Sequence, residues 1–90
     1  MMKVKVRKAL LDDIQDLFNW RNNKKIRPML KNTDPIVWKQ HSEWYKKALK
    51  RSDYSSIICY FQENQTKIGF VSFDIKETFA LISIIIDPDM

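Results

Sequence analysis

The chain has 90 residues, of which 44% are apolar, 12% aromatic and 30% charged, with a formal net charge of +5. Its aromatic content excludes an intrinsically disordered chain, one glycine and three prolines exclude collagen-like and linker sequences, and a single cysteine, Cys59, excludes a disulfide framework. No apolar run approaches the ~18 residues of a membrane-spanning helix, and the start Met1-Met2-Lys3-Val4-Lys5 lacks the apolar stretch of a signal peptide, so a cytoplasmic protein with no membrane partner is expected.

Val4 and Val6, with Leu10 beyond them, alternate with Lys5, Arg7 and Lys8, which predicts a short strand with one wet face. Asp12 or Asp13 then opens a helix, because an acid at that point satisfies free N–H groups. Ile14, Leu17 and Phe18 form its buried stripe. At about 100° per residue Arg21 falls on that stripe and Trp20 points away from it. An arginine where an apolar residue is expected, and an indole where a polar one would serve, make a local inconsistency of the sort enriched at functional sites. Asn22-Asn23 ends the helix. Lys24 to Leu30 reads as a turn or short second helix, checked by Pro28. Asn32-Thr33-Asp34-Pro35 is a break in which Asp34 caps a third helix and Pro35 takes its first position. That helix runs to about Lys50, with Val37, His41, Trp44 and Ala48 on one stripe and Trp38, Tyr45 and Leu49 beside it.

After Arg51-Ser52-Asp53 the period becomes extended. Strands are predicted at Ile57 to Phe61, Lys67 to Ile75 and Phe79 to Ile86, joined by tight turns. They are apolar on both faces for much of their length, which predicts cover on both sides, yet only two or three helices are available. The last strand is the most apolar and invites pairing with something more. Gly69, inside the second of these strands, marks a bulge or a close backbone approach.

Charge is unevenly placed. Residues 1–51 hold 14 of the 16 basic residues and 5 acids, a net of +9, whereas residues 52–90 hold 2 basic and 6 acidic residues, a net of −4. A basic face attracts polyanions such as nucleic acid, nucleoside diphosphates or coenzyme A. The clusters Lys24-Lys25, Lys46-Lys47 and Lys50-Arg51 also suit helix C-termini. With one histidine and one cysteine there is no metal-ligand spacing, so no metal is expected, and there is no glycine-rich phosphate loop. Cys59 reads as a small core residue, His41 as a packing residue rather than a base, and the three tryptophans as core before nucleobase platforms.

The order strand, helix, short helix, helix and three antiparallel strands resembles the N-terminal half of the GNAT N-acetyltransferase superfamily. The residues that carry the resemblance are Trp20-Arg21-Asn22, Ile26-Arg27, Met29, His41 and Trp44 three apart, and Ile68-Gly69. They are nearest the branch that acetylates amino groups of nucleotide-linked sugars in pseudaminic acid type pathways. The resemblance implies an α/β (α+β) fold of order β-α-α-α-β-β-β with a mostly antiparallel sheet, spanning residues 1–90 as one partial domain. It implies acetyl transfer from acetyl-CoA to a primary amine of an amino sugar nucleotide. Trp20, Arg21, Asn22, Arg27, Met29 and Leu30 would shape the acceptor pocket, with Arg21 or Arg27 pairing with a phosphate or fixing the loop. Ser83, Ile84, Ile85 and Ile86 would lie along the pantetheine, and His41 and Trp44 would be supports. No general base is assigned.

The chain departs from the family pattern in three places. Ile36-Val37-Trp38-Lys39-Gln40-His41 replaces a serine-capped helix start, acids are missing from the fourth strand, and the loop that cradles the coenzyme A pyrophosphate is not among these 90 residues. The 90-residue chain is therefore expected to be inactive by itself, and to form a homo-oligomer or strand-exchanged dimer through residues 79–86. The rival reading is a basic α/β module that binds nucleic acid or a protein partner.

Overall fold

The computed structural model describes residues 2–30 and 34–89; the expected break at Asn32-Thr33 and the terminal Met90 lie outside the described residues. The alternating Val and Lys/Arg segment forms β1 (Val4–Lys8). A 3-10 turn at Leu11–Asp13 leads into α1 (Ile14–Asn22), and a second at Arg27–Met29 stands where a short helix was expected. Then come α2 (Trp38–Ala48), β2 (Tyr54–Phe61), β3 (Lys67–Ile75) and β4 (Ala80–Ile86). The strands form one antiparallel sheet in the order β1-β2-β3-β4, so β1 and β4 are its two edges. Among the described residues no helix is long and apolar enough to cross a membrane.

The register decides which residues share a face. Arg7, Ile58, Phe70 and Ile85 lie side by side across the four strands, and Val6, Cys59, Gly69 and Ile86 form the adjacent row on the opposite face. Only the first face is covered. Ala9, Leu17, Trp20, Tyr45, Ile58, Phe70 and Ile85 make the core between helices and sheet. Each large side chain buried there contributes roughly 1.5–3 kcal/mol.

Several expectations change on this frame. The helix stripe of α1 is Asp13, Leu17 and Trp20, so Trp20 packs into the core and Ile14, Phe18 and Arg21 flank it half-buried. Spacing of four and then three residues allows this stripe as well as the expected one, and contact with the sheet selects it. Asp13 takes the N-cap position of α1, but its carboxylate makes no capping bond to that helix; it faces inward and accepts the Leu10 N–H at 2.8 Å. α2 starts at Trp38 after an extended Val37, not at Pro35, and buries His41, Tyr45 and Ala48, leaving Val37 and Trp44 in solvent contact. In β1 the expected faces are exchanged: Val4 and Val6 are exposed, and half-buried Arg7 points to the helix side. Cys59 is half-buried on the uncovered face rather than in the core.

Arg7 turns inward because Asp13 is there. Its guanidinium donates two bonds of 2.8 Å to the Asp13 carboxylate, which is 1% exposed and also meets Lys67 Nζ at 2.7 Å. This cluster ties β1, the first turn and β3 together. Nearby, the Tyr45 hydroxyl donates to the Leu10 carbonyl at 2.6 Å, fixing α2 to the same turn.

Gly69 meets both expectations for it. The pairing shifts between Cys59 and Tyr60, leaving Ile68 as an extra residue in β3. A Cβ added at Gly69 would lie 2.8 Å from the Ile85 carbonyl oxygen and 3.0 Å from Ile86 Cδ1. The obstacle is backbone, which cannot rotate away. Gly69→Ala is expected to cost about 1–3 kcal/mol and to speed amide exchange in β4 before β2. Unchanged protection of β4 would show that the strands separate there without penalty.

Candidate functional site

The helix side of the sheet does not close completely. Between α1, the Met29–Leu30 and 34–36 segments, α2 and the β3-β4 hairpin lies a cavity of about 720 Å³. Arg21, Met29, Leu30, His41 and Trp44 line it on the helix side, and Ser83, Ile84 and Ile85 on the sheet side. Eight of the twelve site residues expected from sequence thus meet at one cavity. Trp20, Asn22, Arg27 and Ile86 are not on its wall. Trp20 is core. Asn22 braces the loop instead: its amide donates to the Ile36 carbonyl at 2.9 Å and accepts the Ile36 N–H at 2.6 Å. Arg27 is half-exposed in its 3-10 turn, and the Ile86 side chain belongs to the opposite face of the sheet.

Arg21 brings a positive charge to the cavity wall. Its Nη1 lies 3.1 Å from His41 Nδ1, and its guanidinium carbon sits 4.6 Å from the centroid of the Trp44 ring. His41 Nε2 lies 2.9 Å from the Ile14 carbonyl. A carbonyl only accepts, so Nε2 carries the proton and Nδ1 accepts from Arg21. Both ring nitrogens are therefore occupied. Burial pushes the His41 pKa below its ordinary value; the Ile14 carbonyl works against that and the Arg21 charge with it. A neutral, doubly bonded imidazole that stacks on Tyr45 at 5° positions Arg21 and has no free nitrogen for proton abstraction. Among the described residues no carboxylate forms an ion pair with Arg21, which burial alone pushes below its ordinary pKa. The guanidinium nevertheless stays charged.

Three more polar residues line the cavity from the sheet: Tyr54, Ser72 and Asp74. The Tyr54 hydroxyl is buried without a hydrogen-bond partner among the described residues, with the Ser72 hydroxyl facing it, and burial raises its pKa. The Asp74 carboxylate accepts from Arg51 at 2.8 Å, and Asp34 adds a second acid to the wall. Sequence reasoning looked for acids on the fourth strand and missed these. A signal was present: Phe70, Ser72 and Asp74 alternate, so two polar side chains share the helix-covered face with a core phenylalanine.

Comparison with known proteins bears on the fold. No protein-family model matches the sequence, and no curated protein matches it significantly. Solved structures do match. A domain from Methanocaldococcus jannaschii superposes with a TM-score of 0.77 at 25% identity, over 97% of this chain and 57% of that one. Spermidine N-acetyltransferase from Vibrio cholerae, in complex with CoA and spermine, superposes with a TM-score of 0.80 at 20% identity, over 96% of this chain and 52% of the enzyme. A chimera of that enzyme gives 0.76 at 18% identity, over 96% and 51%. The chain therefore spans a little over half the length of these structures, and its fold is that of about half of a GNAT-type acetyltransferase domain.

Proposed function

We propose that these residues form the acceptor side of an acetyl-CoA-dependent N-acetyltransferase, and that its primary amine is carried by an anionic molecule such as a nucleotide sugar. The fold likeness supports acetyl transfer to an amine. Arg21 supports the anionic carrier. It is a half-buried guanidinium that faces the cavity with a neutral histidine on one side, an indole beneath and no ion pair among the described residues. A buried charge without a counter-charge is costly, and a phosphate offsets that cost through the guanidinium's planar fork of donors. Spermine, which the Vibrio cholerae enzyme was solved with, is a polycation and would meet a like charge at this point. Asp34 and Asp74 line the same cavity and suit the ammonium of an acceptor whose anionic part lies toward Arg21.

The residues present fit acetyl-CoA in part. β4 is an edge strand, so its outer backbone groups are unpaired, and Ser83, Ile84, Ile85 and Ile86 would hold an amide-rich pantetheine arm as a further strand is held. The chain has one glycine, buried inside β3, and no glycine-rich cradle for a diphosphate. When bound, acetyl-CoA supplies an acetyl thioester open to attack by a deprotonated amine. The chain's own residues bind and orient that amine: Asp74 and Asp34 attract it, and the Tyr54 and Ser72 hydroxyls lie on the same wall. The binding-module reading is not favoured, because the fold neighbours include acetyltransferases and the exposed pairs Lys24-Lys25 and Lys46-Lys47 sit at helix ends, where they suit the helix dipole.

The test is titration of the 90-residue chain with a nucleoside-diphosphate amino sugar, and separately with spermidine, following the Trp44 indole and Arg21 Nε resonances. The sugar nucleotide is expected to shift both, with affinity at least about tenfold weaker in Arg21→Gln, a loss of ~1.4 kcal/mol. Acetyl turnover by the 90 residues alone is not expected. Preference for spermidine, or binding indifferent to Arg21→Gln, would refute the anionic carrier.

A further inference from the structure

We propose that Arg51, which stands outside the cavity, is a specificity-determining residue. It compensates the Asp74 carboxylate on the cavity wall and so turns polycationic acceptors away from the end where, on the reading above, the acceptor amine lies. The turn after α2 stations it there. The Arg51 N–H donates to the Ala48 carbonyl at 3.1 Å, and the Ile75 N–H donates to the Asp53 carbonyl at 2.7 Å, which ties this turn to the end of β3. The Arg51 guanidinium then has three neighbours. Its Nε donates to Asp53 Oδ1 at 2.8 Å, its Nη2 donates to Asp74 Oδ1 at 2.8 Å, and its carbon sits 5.6 Å from the centroid of the Tyr54 ring. Lys76 Nζ lies 3.5 Å from the same Asp74 oxygen.

Two cations thus converge on one oxygen of Asp74. Among the described residues no hydrogen bond or ion pair reaches its other oxygen, Oδ2. Asp74 lines the cavity beside Tyr54, its partner in register. Within this cluster the charges of Asp53 and Asp74 are balanced by those of Arg51 and Lys76. What remains on the wall is an acceptor oxygen with little net negative charge behind it. A single amine can donate one N–H to that oxygen. A polyamine gains from net negative potential; this part of the wall supplies little, and Arg21 adds a positive charge from the helix side. A guanidinium keeps its charge at any working pH, so the compensation is constant. Exposed pairs of this kind contribute little to stability, and the side chains of Arg51 and Asp53 are 38% and 54% exposed. Removing Arg51 should therefore change the potential at the cavity while the fold persists. A unit charge roughly 6 Å from an ammonium, screened as in water, changes binding about threefold.

The experiment titrates the 90-residue chain at low salt with spermidine, and separately with a nucleoside diphosphate that carries no amine. Arg51→Gln is expected to bind spermidine at least about threefold more tightly than wild type, with diphosphate affinity changed less than about twofold. Arg51→Lys keeps the charge and should bind both as wild type does. Lys76→Gln removes the weaker cation; it should show a smaller gain in the same direction, and it carries the test if Arg51→Gln does not fold. Lys5 is exposed on β1 and pairs with Tyr60, at the far end of β2 from Tyr54, so Lys5→Gln controls for net charge and should change neither affinity. Unchanged spermidine binding in Arg51→Gln and Lys76→Gln would overturn the proposal. So would an equal gain in Lys5→Gln, or diphosphate affinity lost in step with the gain for spermidine. The anionic carrier is judged separately, by whether Arg21→Gln weakens the diphosphate: if it does while Arg51→Gln has no effect, only the role of Arg51 fails.

Discussion

Asp13→Ala is expected to cost about 3 kcal/mol of stability. The carboxylate is buried, and three elements converge on it: Arg7 from β1, Lys67 from β3 and the Leu10 N–H. Removing one member of a buried ion pair costs ~3–5 kcal/mol. The low end applies because Arg7 and Lys67 are themselves about a third exposed and can rehydrate. Burial by itself would raise the Asp13 pKa, but Arg7, Lys67 and Leu10 together outweigh it and hold the carboxyl well below the carboxylate range. A lowered folded value means that the unfolded state takes up the proton first. The stabilisation is therefore complete above the unfolded value of ~3.9 and is lost as pH falls below it. Urea denaturation at pH 7 and at pH 3 reads both effects: a large loss in Asp13→Ala at pH 7, and a smaller difference from wild type at pH 3. A variant within 1 kcal/mol of wild type at pH 7 would mean that the cluster contributes no more than an exposed pair.

His41→Leu is expected to cost about 2–4 kcal/mol and to weaken anion binding with no loss of charge from the cavity. Leucine fills most of the volume but removes two partners at once, orphaning the Ile14 carbonyl and releasing Arg21 from its acceptor. The pH dependence separates this role from packing. Because burial lowers the folded His41 pKa, the unfolded chain is protonated first on acidification. Wild-type stability should then fall as pH drops below the unfolded value of ~6.5, well above the Asp13 window. In His41→Leu that decline should vanish. Persistence of the same slope would assign it to another group, and His41→Gln, which can still accept from Arg21, should recover part of the affinity.

The sequence carried the elements well where one physical signal ruled. The limits of β3 were read from Lys67 to Ile75 as observed, because tight turns bound an unbroken extended run. Gly69 was legible because a lone glycine inside a strand has few other uses, and a Cβ there would strike the backbone of β4. Helix boundaries and faces were read less well. Asp34-Pro35 is a sound start signal, yet α2 begins at Trp38, because Asn22 holds Ile36 by both of its backbone groups and keeps that segment extended. Trp20 sat on the wrong side of the expected stripe, since a nine-residue helix offers two stripes of similar apolarity and only the partner surface chooses between them.

By itself the sequence determined the class of fold, the basic first half and the lack of a glycine-rich phosphate loop, and it singled out eight of the residues that line the cavity. These follow from local chemistry: periodicity, residue type and short motifs act over a few neighbours. Only the tertiary structure decided that Asp13, at the N-cap position of α1, is the buried hub of an ion cluster and makes no capping bond to that helix. It alone placed Tyr54, Ser72 and Asp74 on the cavity wall, and it alone showed that His41 has both nitrogens occupied. It also exchanged the faces of β1, leaving Val4 and Val6 on an apolar surface that the helices do not reach. The reason is common to all of these. Each depends on which strand lies beside which and in what register, and a shift of one residue in pairing turns every side chain to the other face.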